Sequence, residues 1–332
     1  MPGVTEGGSA PVMPLCQIAM SATHLLRTHH WYQRALGFLS AGHRRHRDIP
    51  GHAAVSDLPE SSFDVWCLVD QQQWFQFEIF EFERPRMRPM PSDWRPCDMG
   101  YSTIGIHVAD FDEALERLLR TSGRPLSEPI GPAGRRRVCL RDPEGILLEL
   151  MEDDFRSSST QTRLRTEVPA VVRFITLSVP DLDRARRFWV DAVGLVEATG
   201  LALHGPEHEM LWGLAGATRH ALLLWAGDVL VELVQYIEPA GKPRPAGYLL
   251  SDQGILNLAL GSTTRRDFDE QYCRIRSCGY RSTSEPWTVA GVATVVYIDD
   301  GQGFSVELLH VEPDALEEMG FVAARDPTYP SP

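Results

Sequence analysis

Four times along this 332-residue chain a glutamate sits inside a short apolar run, and the local spelling is nearly the same each time. The runs are Phe77-Glu78-Ile79-Phe80, Leu148-Glu149-Leu150-Met151, Val231-Glu232-Leu233-Val234 and Val306-Glu307-Leu308-Leu309. Burying a carboxylate in such a run is costly unless it is paired, hydrogen-bonded or bound to a metal. The recurrence predicts a repeated strand with one apolar and one polar face. In the segment from Trp74 to Phe82, Phe75, Phe77 and Ile79 fall on one face and Trp74, Gln76, Glu78 and Phe80 on the other.

The openings repeat as well. Gln17 to Phe38 and Phe174 to Leu195 both read as a strand, a polar cap, an amphipathic helix and a glycine-containing exit. Matched pairs such as Gln17 with Phe174, Glu78 with Glu232, Thr103 with Asn257 and Glu149 with Glu307 keep an offset of about 155 residues, the mark of a tandem duplication. Each half divides again, because Thr103 to Gly123 and Asn257 to Gly279 repeat the strand-then-helix opening. Phe111, Ala114, Leu115, Leu118 and Leu119 form a helical stripe, with Asp110 and Glu113 as a capping box and Gly123 as a stop. Asp142-Pro143-Glu144-Gly145 and Asp299-Asp300-Gly301 are turns that launch a last strand. The fold class is α+β, with a β-α-β-β-β module used four times. The expected layout is a flexible tail at 1–13, a first domain of modules one and two at 14–155, a linker at 156–168, a second domain of modules three and four at 169–312, and a tail at 313–332. The continuity of each half favours pairing of modules one with two and three with four; pairing of one with four stays open.

This ordered fourfold pattern resembles the vicinal oxygen chelate superfamily, which includes glyoxalase I, bleomycin-resistance proteins and extradiol dioxygenases. The resemblance runs from about Leu15 to Val311 and rests on the D-P-E-G-I-L-L-E-L run at 142–150 and the two strand-cap-helix openings. It implies two cupped sheets, each formed by two modules, with metal ligands on the inner face. Laid onto the first half, the pattern of Gln or His, Glu, His, Glu implies Gln17, Glu78 and Glu149 as ligands, with Thr103 in place of the His. Laid onto the second half it falls on Phe174, Glu232, Asn257 and Glu307, where Phe174 cannot ligate. The glutamates beside Phe174 must then be solvated, protonated or paired with a cation.

An amide-and-carboxylate set suits Mn²⁺, Mg²⁺, Ca²⁺ or Fe²⁺ better than Zn²⁺. The expected substrate pocket comprises Trp74, Gln76, Phe80, Thr103 and His107, with His107 read as a pocket-lining residue rather than a ligand. His43, His46 and His52 lie in an insertion from which one could reach the pocket as a lid residue. His204 and His208 flank a Gly-Pro in a stretch with no helix to align them.

Composition sets the outer bounds. With 45 acidic against 32 basic residues the formal charge is −13, which argues against nucleic acid as a partner. The basic clusters Arg44-Arg45-His46-Arg47 and Arg135-Arg136-Arg137 read as solvated loops. The first fifteen residues carry no apolar core, His220 to Ile237 fits two strands better than a membrane span, and the six cysteines lack metal-knuckle spacing, so a cytoplasmic protein without a membrane partner is expected. The functional expectation is a metal-dependent lyase or isomerase of the glyoxalase type. Its substrate would be a hydrophobic small molecule with adjacent oxygens, Glu78 or Glu149 would act as general base, and a homodimer remains an option. The alternatives are an extradiol-type ring-cleaving dioxygenase and a metal-free small-molecule binding protein.

Overall fold

In the computed structural model the described residues are 12–47, 50–58, 60–121, 124–156 and 165–324. Most of the N-terminal tail, the helix stop at Gly123, most of the linker and the last eight residues fall outside them.

Module one consists of β1 (Leu15–Ser21), α1 (Leu25–Leu36), β2 (Leu39–Arg47), a short inserted α2 (Pro50–Ser56), β3 (Ser62–Val69) and β4 (Gln76–Arg84). Module two has β5 (Gly100–Val108), α3 (Phe111–Arg120), β6 (Arg137–Arg141) and β7 (Leu147–Met151). Its remaining strand is reduced to two isolated bridges, Pro125 with Leu140 and Ile130 with Arg137, so the five-element pattern is incomplete here. Module three runs through β8 (Ala170–Ser178), α4 (Leu182–Arg186) with a π-helical continuation over Arg187–Ala192, β9 (Val196–Glu197), β10 (Thr218–Ala226) and β11 (Val229–Glu238). Module four has β12 (Gly254–Ser262), α5 (Arg265–Ser277), β13 (Arg281–Ser282), β14 (Trp287–Val289), β15 (Ala293–Asp299) and β16 (Ser305–Val311).

The local patterns hold. Asp110 caps α3 by accepting from the Glu113 amide at 2.9 Å, and Phe111, Ala114 and Leu118 are buried while Leu119 is half exposed. Phe75, Phe77 and Ile79 enter the main core, and Phe80 packs on the opposite side with Phe63, Phe82 and Leu256.

The pairing of modules differs from the favoured expectation. One sheet has the order β13-β15-β16-β12-β1-β4-β3-β2, which joins modules one and four; the other has β6-β7-β5-β8-β11-β10-β9, which joins two and three. Each sheet is closed at its centre by an antiparallel pair, β1 with β12 and β5 with β8. The chain leaves the first sheet after β4, builds the whole second sheet, and returns after β11. The two domains at 14–155 and 169–312 are therefore not the two sheets. At the described end of the segment that links the halves, Arg165 bonds the carbonyl of Gln73 in the β3–β4 connection of the first sheet, and its backbone amide bonds that of Gln71.

The C-terminal segment, expected as a tail, packs against the first sheet as far as Ala324. Phe321 stacks on Trp74 with ring centroids 4.2 Å apart, and the Ala324 amide donates to the Ser40 carbonyl. Gly320 has φ +82 and lies so close to the sheet that a Cβ there would come within 2.6 Å of the Cys67 sulfur. Any side chain at this position would push the segment off.

Candidate functional site

Two rows of side chains cross the floor of the first sheet. The register sets Glu307 beside Ala259, Ala259 beside Gln17, and Gln17 beside Gln76; on the next row Asn257 lies beside Ala19, and Ala19 beside Glu78. Lateral neighbours share a face of the sheet. Small alanines at the two central positions therefore leave room for four longer polar side chains to converge above them. Gln17, Asn257 and Glu307 are buried, and the Glu78 side chain is nearly so.

The Gln17 amide lies 3.0 Å from Oε2 of Glu78 and 3.5 Å from Oε2 of Glu307, and the Asn257 amide lies 3.1 Å from that same Glu307 oxygen. Tyr297 also bonds Glu307. The other oxygen of Glu78 accepts from the Arg44 guanidinium at 2.8 Å. Arg44 also donates to the Glu318 carbonyl, which ties the site to the C-terminal segment. Burial, and then the charge of Glu78, push the Glu307 carboxyl up to about 8. Burial also raises Glu78, against the opposing effects of Arg44 and Cys67. Burial drives the Cys67 thiol up to about 12, so Cys67 is not a nucleophile at neutral pH.

A cavity of about 130 Å³ opens over this floor. Its walls include His46, His52, Phe63, Phe80, Trp287 and Met319. The inserted α2 thus contributes His52, and the basic run contributes Arg44 and His46, while Arg45 and Arg47 are spent on Asp64. Among the residues expected in the pocket, Phe80 lines this cavity. Trp74 instead stacks on Phe321 and donates to the Gly261 carbonyl, and Gln76 lies behind Gln17. Thr103 and His107 belong to the other sheet, where His107 faces Asp154 at 3.9 Å.

The amides carry information about what the floor would hold. Gln76 is satisfied when its NH₂ donates to the carbonyls of Gly320 at 2.8 Å and Met319 at 3.1 Å, which leaves its oxygen toward Gln17. Gln17 must then present its NH₂ to Gln76 and its oxygen to the two carboxylates. The Oδ1 of Asn257 is buried with no hydrogen-bond partner among the described residues. In that orientation the Gln17 oxygen faces carboxylate oxygens at 3.0–3.5 Å, a contact that a cation or a proton would satisfy; in the opposite orientation the Gln17 NH₂ donates to both carboxylates and the Gln76 oxygen is left against the two carbonyls. These donors fit a hard divalent ion, whose oxygen ligands at about 2.1 Å on neighbouring octahedral positions lie about 3 Å apart. Among the described residues no group of three or more His, Cys, Asp or Glu side chains is placed to hold a metal, so the set reaches four members only through Gln17 and Asn257.

Glu149 is not part of this set. In the second sheet it joins Glu232, and the cup there is closed by protein cations. The His204 side chain, fully buried, bonds Glu232 at 2.9 Å through Nδ1 and Glu149 at 3.2 Å through Nε2. Arg137 pairs with Glu149 at 3.0 Å and Arg219 with Glu232 at 3.0 Å. Trp212 donates to the second Glu149 oxygen and Thr176 to the second Glu232 oxygen. Burial alone would lower the His204 imidazolium, but Glu232 and Glu149 override it and push it up to about 9. Against the same burial, His204 holds both carboxyls below the usual range, with help from Arg219 at Glu232 and Arg137 at Glu149. The expectation of Glu149 as metal ligand and base is thereby corrected: its oxygens are fully engaged in the second cup.

In sequence, H-G-P-E-H offers no helix to align the His204 ring. A 3₁₀ turn over Pro206–Trp212 follows it and brings Trp212 to Glu149. The available signal was Phe174, which removes a ligand while both carboxylates stay. The Phe174 ring lies over Gly105, where a Cβ would come within 1.8 Å of it, and packs edge-on to His204 at 5.0 Å. Phe174→Ala is expected to cost about 3–5 kcal/mol in a denaturant melt without changing metal content. Thr103→His, in this same cup, is expected to leave metal preference unchanged in a Zn²⁺ against Mn²⁺ competition.

No protein-family model matches the sequence, and no curated protein does. The fold has solved counterparts. Glyoxalase I from Zea mays is 15% identical with a TM-score of 0.59, covering 94% of this chain and 97% of that one. Its E144Q mutant is 17% identical with a TM-score of 0.58, covering 90% and 94%. A Bacillus subtilis protein described as a candidate dioxygenase is 15% identical with a TM-score of 0.63, covering 97% and 93%. No helix among the described residues is long and apolar enough to cross a membrane. Together with the four modules and two cupped sheets, these likenesses establish that the chain has the vicinal oxygen chelate fold.

Proposed function

We propose that the first cup is the active centre of a metal-dependent lyase or isomerase, with Gln17, Glu78, Asn257 and Glu307 holding a hard divalent cation such as Mn²⁺, Mg²⁺, Ca²⁺ or Fe²⁺. The observation that carries this reading is the convergence of two buried carboxylates and two amides on one floor, including an Asn257 oxygen with no hydrogen-bond partner among the described residues. When bound, such an ion supplies Lewis acidity that polarises a carbonyl and stabilises an enolate.

The chain's own residues divide the remaining work. Arg44 fixes one oxygen of Glu78 and restrains that carboxylate. Among the described residues Glu307 takes its hydrogen bonds from neutral groups, Asn257 and Tyr297, and is the freer group to accept the proton next to a carbonyl. Phe63, Phe80, Trp287 and Met319 exclude water and favour an apolar or aromatic substrate with adjacent oxygens. An extradiol dioxygenase is disfavoured because its iron needs two histidines, and none stands on this floor.

The second reading is a metal-free protein that binds an apolar molecule. It is favoured by one observation, the Arg44 guanidinium that already neutralises Glu78. The test is a screen of apolar α-hydroxy and α-keto carbonyl compounds with protein stripped of metal and reloaded with Mn²⁺. Turnover that returns with the ion and is lost in Glu307→Gln supports the enzyme reading. Saturable binding of the same compounds, equal with and without metal and with no turnover, supports the other.

A further inference from the structure

A second cleft lies where the two crossover segments meet, away from both cups. The segment after β4 and its repeat after β11 clasp each other. Arg88 forks onto Asp252, the Lys242 amide donates to Asp98 at 2.9 Å, and the Met99 amide donates to the Lys242 carbonyl at 2.9 Å. Between them is a cavity of about 180 Å³, with Met90, Trp94, Met99, Tyr101 and Tyr248 among its lining. It shares no residue with the cavity of the first cup. An apolar cavity of roughly 150 Å³ is enough to take up benzene.

One cation governs this cleft. The Arg244 guanidinium carbon lies 4.3 Å from the Tyr248 ring centroid and 4.4 Å from that of Phe304. Among the described residues a single Arg244 donor is used, Nη1 to the Gly303 carbonyl at 2.8 Å. Among the described residues no carboxylate is ion-paired with Arg244. The acid that shares the cleft, Asp252, is already matched by Arg88 and accepts from the Leu249 amide as well. Asp299 lines the adjoining cavity together with Arg244, and Asp300 uses one oxygen for the amides of Gln302 and Phe304 while its other oxygen, which has no hydrogen-bond partner among the described residues, makes no ion pair with Arg244. A planar guanidinium held against two rings, with its remaining donors unspent beside an apolar cavity, is arranged to receive a carboxylate in fork geometry. We propose that this cleft is a binding site for a small aromatic or apolar monocarboxylate, with Arg244 on the carboxylate and the Met, Trp and Tyr side chains around the apolar body.

The test is calorimetric titration of the full chain with 4-chlorobenzoate and with its neutral counterpart 4-chlorobenzyl alcohol. One saturable site is expected for the acid. The alcohol should bind at least about tenfold more weakly, and Arg244→Gln should weaken the acid by a similar factor, since a charge-assisted pair is being removed. Met90→Trp, which fills the cleft and keeps Arg244, should block binding while an unchanged melt shows the fold intact. Glu307→Gln in the first cup should leave the acid's affinity within about threefold, because a neutral change at another site removes no contact. Equal binding of acid and alcohol, binding indifferent to Arg244→Gln and Met90→Trp, loss of binding in Glu307→Gln instead, or no binding at all would each overturn the assignment.

Discussion

Replacing His204 by Leu is expected to lower the stability of this protein by about 3–5 kcal/mol, the cost of leaving buried carboxylates without their cation. The imidazole bridges Glu149 and Glu232, which come from different modules, and it fills the place where the first cup gathers its amides. Arg137 and Arg219 remain in the variant and keep the cost within that range. The pH dependence has a definite sign. The imidazolium is raised from an ordinary value near 6.5 to about 9 in the folded chain. Its contribution is therefore fully present below about 6.5 and is lost as pH rises through 9, a decline of order 3 kcal/mol. Glu232 acts oppositely: its depressed carboxyl contributes above its ordinary value and loses that contribution in acid. Urea melts at pH 6 and pH 9.5 check the first statement. The natural chain should lose stability between them, and the Leu variant should not show that decline.

Glu78→Gln and Glu307→Gln are each expected to lower the affinity for Mn²⁺ by at least about 100-fold, exceeding the 10–100-fold typical of changes one shell further out. Glu149→Gln and Glu232→Gln should leave it within about threefold, and should instead lower stability, because each breaks a buried pair with His204. Calorimetric Mn²⁺ titrations of the four variants separate the two cups. A loss in Glu149→Gln comparable to that in Glu307→Gln would place the ion elsewhere.

The modules were legible in the sequence because strand alternation and helical stripes are local: Phe75, Phe77 and Ile79 declare a face within five residues, and Asp110 with Glu113 declares a helix start. The choice of partner module was not. Nothing near Gln17 states that its lateral neighbour is Ala259 rather than a residue of β5, since that register is set by contacts closed only after the whole second sheet has been built. The ligand arithmetic did hold a hint. Pairing modules one and four brings both amides, Gln17 and Asn257, to Glu78 and Glu307, whereas the favoured pairing gave each half one amide; either pairing leaves Phe174 beside two glutamates. Arg44 and His204 were hidden for another reason. Arg44 stands on β2 in a basic run that reads as a solvated loop and His204 lies between elements, and each acquires its role only through carboxylates on other strands, so no spacing rule marks it. The C-terminal segment read as a tail because its own docking residues, Gly320, Phe321 and Ala324, form no periodic run and meet Cys67, Trp74 and Ser40 at the far end of the chain.

The most direct measurement of the central claim is the divalent metal content of the full chain purified without chelator and then dialysed against Mn²⁺. Four oxygen-bearing side chains from modules one and four predict about one ion per chain, and the cation-filled second cup predicts no second ion. A chain that carries no metal and takes up none on dialysis, with Arg44 alone balancing Glu78, would contradict it.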